Sequence, residues 1–518
     1  SSTYGSNSIK YCVKLVSDVS WIGQGSATII SLADNQTENG TVDPWIFYGD
    51  NEALENICFE NFTIDFNDTN NNVGGQDNVA AIGFGGASGK VDGLKVINVR
   101  FQNDPGMNCI VVGGPNGTAM SNDVLIQGCT FYDVATDTTV IDHTSIYLLA
   151  DNAKVIGNYF ENSDSNSNGK TYATAFELHG SNCAGIGNTG KNYARICYVA
   201  DNYLGVARGQ VVSGNVFEDL NRRGIEFYAG LHGLEDIVVT NNIIRLNDTD
   251  VEGKHGISVL QPKEIKHVTI SNNIISMPYS LSSISIGILV GSNSATGRID
   301  DFLIKGNKVE GFLYGIEVFG MAGSCGEIAI ESNQCRNQLG TGSNPTGISI
   351  NNDITIDQLS LINKTVTDDR GSPLIAYGIF IKGTITKLIE QNNTYRGIAT
   401  LGYYELSSLA YSHRIIDGKH VFPLSISASG NQTLTVTFDS SPVEFGFVID
   451  ITGKWLNGQN IFKRVAVCGQ LYGNTMFDPT SSEIVSIGDA LNANLTVSAP
   501  AAKGSDNQLT IAINNTYA

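Results

Sequence analysis

The chain has 518 residues, of which 57 are Gly and only 11 Pro, with 41% hydrophobic residues and a formal charge of −20. That balance describes a turn-rich, soluble chain with enough apolar content for a core, and the charge argues against nucleic acid or an anionic membrane surface as partner, just as no apolar run reaches spanning length. Nine cysteines without a C-x-x-C pair and seven scattered histidines give neither a disulfide frame nor metal-ligand spacing, so buried thiols, no metal and no cofactor are expected.

The chain begins Ser1-Ser2, without initiator Met or leader, which reads as a processed form or fragment. Residues 1–50 hold Trp21-Ile22-Gly23-Gln24-Gly25 and Thr28-Ile29-Ile30, strand signals around a glycine turn, and are expected to cap and start a stack. Clear units begin with Ile57-Cys58-Phe59 and Leu94-Lys95-Val96. The pattern aliphatic-x-(Gly/Asn/Ser)-Asn then ends at Asn158, Asn215, Asn242, Asn273, Asn307 and Asn333. A period of about thirty residues means stacked coils.

Each unit has two short β runs around this polar turn and a third run before the next unit, such as 175–178, 224–227, 256–259 and 315–318. The expected fold is therefore all-β, a parallel β-helix over residues 51–412, because no stretch keeps a helical period. Ile and Val alternate inward while the intervening residues face out. The Asn amides are expected to hydrogen-bond from coil to coil, a structural ladder without chemistry, and Asn also tolerates the left-handed backbone of a turn. Polar loops at 67–77 and 161–172 leave the stack. From about 413 longer alternating runs, such as 433–438 and 445–449, predict a separate small C-terminal β-sandwich, residues 413–518, for carbohydrate binding or trimerisation.

Aligning the third runs puts Val111, Tyr147, Glu177, Glu226, Ser258, Leu289, Glu317, Ser349 and Phe380 in one outward column. Two positions on, Leu149, His179, Tyr228, Leu260, Phe319 and Lys382 form a second. Tyr147, Glu177, His179, Glu226 and Tyr228 thus gather on one patch. Rings stack on sugar faces, while one carboxyl protonates a leaving oxygen and another activates water, so Glu177 and Glu226 are the candidate catalytic pair. The alternative is that both are merely solvated.

Gly185-Ile186-Gly187-Asn188 also fits the ladder, with 195–199 as its third strand, which adds a coil between the two glutamates. They would then stand two coils apart, roughly 9.5 Å at about 4.8 Å per coil. That spacing suits inverting hydrolysis, whereas adjacent coils would suit retention. Asp137, Asp142 and His143, just ahead of the Tyr147 run, are alternative acid/base residues. Arg222 and Arg223 offer guanidinium groups to an acidic sugar or are solvated turn residues, and His179 would tune a carboxylate or bind a hydroxyl. Glu317 and Phe319 are further sugar contacts or surface decoration.

With its Asn-ladder coils from about 91 to 390, the Trp21-Ile22-Gly23-Gln24-Gly25 segment and the sandwich-like tail, the chain resembles the bacteriophage tailspikes. The resemblance implies a right-handed, homotrimeric β-helix on the virion tail, joined to it by a part ahead of Ser1. It also implies extracellular cleavage of bacterial capsule or O-antigen polysaccharide by acidic residues, with no nucleic acid or membrane partner. The ordered motifs of polygalacturonases are missing, apart from isolated Leu178-His179-Gly180, Lys254-His255-Gly256 and Asp368-Asp369. Val140-Ile141-Asp142-His143 is similar to a pectate-lyase segment but lacks its Trp, so β-elimination stays open as a second reading and a non-catalytic glycan adhesin as a third.

Overall fold

The computed structural model describes residues 3–399 apart from loop segments at 5–6, 38–41, 51, 72–77, 86–88, 114–119, 202–203, 248–252, 261–262, 279–284, 293–296, 321–323, 340–343 and 352–353; from 400 on it describes strand backbones alone. Contacts divide the chain into two units, Ser1–Ile385 with Asn392–Leu409, and Thr386–Gln391 with Ala410–Ala518.

The first unit is a parallel β-helix, its sheets stacking one strand per coil in chain order. The sheet that carries the site runs through Val42–Gly49, Ala80–Phe84, Ile110–Val112, His143–Leu148, Ala173–Leu178, Arg195–Ala200, Arg223–Tyr228 and Lys254–Leu260. Apolar side chains fill the interior, and rings stack along it, with Phe101, Phe131 and Phe160 successively 4.9 and 4.8 Å apart. In the following coil Gly190 takes that place, paired with Phe160 on one side and Phe217 on the other. A Cβ there would fall 2.7 Å from the Phe217 ring.

The ladder is continuous through Asn158, Asn188, Asn215, Asn242, Asn273, Asn307 and Asn333, all buried. Asn215 shows the unit: its Nδ2 donates to the Gly185 carbonyl (3.0 Å) and to Asn242 Oδ1 (2.9 Å), while its own Oδ1 accepts from the backbone N–H and side chain of Asn188. Beyond Asn333 the same position holds Lys364, buried, with Nζ 3.4 Å from Asn393 Oδ1. The left-handed residue is the one before the ladder Asn, which corrects the expectation: Gly187 (φ 64), Gly214 (φ 66), Asn241 (φ 57) and Ser332 (φ 53) carry the turn. The ladder Asn itself is selected for its buried amide.

Strict alternation fails at one place in the site sheet. Gly224, Gly256, Gly287, Gly315 and Gly347 stand in a column, and a Cβ on Gly256 would lie 2.2 Å from Ile275 in the core and 2.5 Å from the Gly287 carbonyl. Two consecutive positions, here Gly256 and Ile257, therefore point inward, and the residue before them turns out. Ser145, Ala175 and Ile196, fully buried, hold the same position in earlier coils.

In the second unit, Val443–Lys454, Asn460–Tyr472 and Thr475–Ile487 form one antiparallel sheet, and Gly430–Thr437, Leu495–Val497, Ala501–Lys503 and Gln508–Asn515 a second.

Candidate functional site

Strand register sets the site. Tyr147, Glu177, Tyr198, Glu226 and Ser258 are paired coil to coil, forming one outward row. Glu177 and Glu226 are thus two coils apart, with Tyr198 of the Asn188 coil between them. A second row holds His179 and Tyr228. The break in alternation creates a third, with Thr174 beside Arg195 and Arg223 beside His255. The rows enclose a pocket of about 540 Å³ lined by Asp142, Glu177, His179, Tyr198, Arg223, Glu226, Tyr228, His255 and Ser258.

The Glu177 carboxylate accepts from Thr144 Oγ1 at 2.5 Å and faces His179 Nε2 at 2.8 Å. Burial works to raise its pKa, but the bonds from His179 and Thr144, with the charges of His179 and Arg195, outweigh burial and hold it below the usual range. Asp142 goes the other way. Its surface is exposed at the rim, yet the pocket walls strip water from the carboxyl, and with the charge of Glu177 they raise it above the ordinary range, against a lowering influence from Arg195. No hydrogen bond joins the two carboxyls among the described residues. Glu226 is ion-paired to Arg223 and, at 3.3 Å, to Arg195 Nε.

Aromatic groups flank these acids. The Tyr147 and His179 rings are 4.7 Å apart, Tyr198 meets Tyr228 edge-on at 6.4 Å, and Tyr228 is 49% exposed. Arg195 lies over the Tyr198 ring and Arg222 over Tyr172. The helix Ser167–Tyr172, capped by Asn166, rises from the loop expected to leave the stack. Its buried Asn168 donates to the carbonyls of Ala135, Asp137 and Val140, which pins the segment leading to Asp142.

Several sequence-derived candidates fall elsewhere. His143 is fully buried, its ring bonded to the Gly106 carbonyl and to Ser145 Oγ, and burial drives its pKa down to about 4. It has no path to the pocket, so it is not an acid/base residue. Asp137 accepts from the N–H and hydroxyl of Thr139 and caps its own turn. Glu317 stands three coils beyond Glu226 with Phe319, outside the pocket; burial lifts its carboxyl to about 7, with Asn351 3.3 Å away. Val111 and Leu149, counted as outward, are fully covered. Arg195, Tyr198, His255 and Ser258 were not singled out as site residues. The glycine column was the signal for Arg223 and His255, since each precedes one of its glycines.

Away from the pocket, Asp104, Cys109 and His143 converge in the core with potential ligand atoms within 4.8 Å of one another, although the sequence shows no ligand spacing. Their polar atoms are already engaged: Cys109 donates to Asp104 Oδ2 at 3.1 Å, and Asp104 Oδ1 accepts the Gly106 N–H. Burial raises Asp104 to about 7, so protons can satisfy this cluster.

No protein-family model matches the chain, and no curated protein does. Among solved structures, a mutant tailspike protein of E. coli bacteriophage HK620 in complex with a pentasaccharide matches at TM-score 0.50 and 15% identity, over 98% of this chain and 84% of that one. The chain has the fold of a phage tailspike. The HK620 tailspike with its pentasaccharide, at TM-score 0.48, and a further pentasaccharide-bound mutant, at 0.49, match at 15% identity with the same coverage.

Proposed function

We propose that this tailspike-like chain binds and depolymerises a bacterial surface polysaccharide, capsule or O-antigen, by glycosidic hydrolysis in the Glu177 pocket. The carrying observation is one pocket holding two carboxyls in opposed surroundings between tyrosine rings. A glycosidase needs one acid that keeps its proton near neutrality and one carboxylate that does not. Asp142, raised by loss of water and by Glu177, is the proton donor to the leaving oxygen. Glu177, lowered by His179 and Thr144, activates water. Glu226, the partner expected from the column, is tied to two arginines and orients them instead.

On this reading a water stands between Asp142 and Glu177 and the product inverts, which is the stereochemical outcome to be tested. The fold likeness to glycan-bound tailspikes supports a polysaccharide as substrate, and on the same reading the chain is a homotrimer on a virion tail. The test is incubation with purified capsular and O-antigen polysaccharides. New reducing ends, inverted by NMR, are expected from the parent; Glu177→Gln and Asp142→Asn each lower the rate roughly 10²–10⁴-fold, and Glu226→Gln less. Ultraviolet-absorbing unsaturated ends would instead establish the lyase, and intact chains under all conditions the adhesin.

A further inference from the structure

The pocket is unevenly charged. Asp142 and Glu177 line it at one end and Arg223 two coils on, with Arg195 on the coil between and Arg222 close enough for the three cations to repel, in a chain with 31 Lys and Arg against 51 Asp and Glu. Of the described carboxylates, Glu226 alone is ion-paired with this trio. Arg222 makes no ion pair among the described residues.

Polar atoms at this end also lack partners. Arg195 Nε and Glu226 Oε2 approach one another without hydrogen-bond geometry, and His255 Nδ1 and Ser258 Oγ have no partner among the described residues. His255 is 7% exposed and Ser258 2%. Buried polar groups are almost always paired, so unpaired donors converging on a cavity mark where a ligand group completes the set. Arg195, Ser258 and a neutral His255 offer donors, and a planar carboxylate is the group that guanidinium donors match best.

We propose that this end of the pocket is a subsite for the carboxylate of an acidic sugar, held by Arg223 and Arg195 with Ser258 and His255, while Glu226 Oε2 accepts from a neighbouring hydroxyl. The substrate is then a uronate-bearing polysaccharide. This rests on the depolymerase reading only for the polymeric nature of the ligand.

The test uses the full chain carrying Glu177→Gln, titrated with purified capsular and O-antigen polysaccharides that are neutral, phosphate-bearing or uronate-bearing, and with carboxyl-reduced copies of the last. Binding confined to uronate-bearing members is expected, at least tenfold weaker after carboxyl reduction. Adding Arg223→Gln should bring the acidic form to the level of its reduced copy while the chain keeps its native β-sheet circular dichroism at the assay temperature. Binding only to neutral or phosphate-bearing members, binding indifferent to reduction, or no binding to any uronate-bearing member overturns the proposal. Cleavage of a neutral polysaccharide by the parent would leave the hydrolase reading standing while this one fell.

Discussion

Arg195 acts by its charge on both carboxyls of the site, which also feel one another directly. Its charge lowers both Glu177 and Asp142, so Arg195→Gln should raise both. The proposed hydrolysis requires ionised Glu177 and protonated Asp142: it is lost as pH falls through the first pKa and as pH rises through the second. Both limbs of the kcat profile should therefore move to higher pH in the variant, and a fixed profile with lowered kcat would leave Arg195 a binding role only. The sequence could not show this. Arg195 belongs to a coil whose interior signal is weak, since Gly185 and Gly190 stand where neighbouring coils place Val155, Val212 and Phe160.

At the scale of the coil, the ladder Asn and the residue before it have separate tasks. Asn242→Ala removes a buried amide that serves both neighbouring coils and orphans the Val212 carbonyl and Asn215 donors, a loss of about 2–4 kcal/mol in denaturant unfolding. Ser332, exposed and left-handed at φ 53, behaves oppositely. Ser332→Gly should stabilise by up to about 1 kcal/mol, visible as a raised unfolding midpoint. The ladder was legible because Asn recurs with an aliphatic residue three places earlier. The glycine column was in the text too, but period-two reading takes Gly224 as outward. Only the packing of a would-be Cβ against Ile244 shows that it points in and Arg223 out.

For the whole molecule, the net charge of −20 sets the terms of encounter. The proposed polyanionic substrate would be repelled at long range and drawn by its carboxylate at short range. Raising ionic strength from about 10 to 150 mM shortens the Debye length from roughly 30 to 8 Å, so kcat/KM on an acidic polysaccharide should rise with salt; a fall would mean that attraction dominates the approach. Architecture was readable at this scale since it follows from periodicity alone. Function was less so, because the pocket draws side chains from loops, strand ends and three outward rows that no single period joins.

The Asn188 coil makes the same ladder bonds as its neighbours, so the ladder, though not the rest of the interior, treats it as interchangeable. Excising one such period, from Asn188 to the residue before Asn215, would let Asn158 meet Asn215 as it now meets Asn188. It would also remove Arg195 and Tyr198 and bring Glu177 beside Glu226. Loss of this coil thus keeps the ladder while it shifts the outward residues against one another by a fixed step. Changing the number of coils therefore resets the separation of outward acids without breaking the ladder.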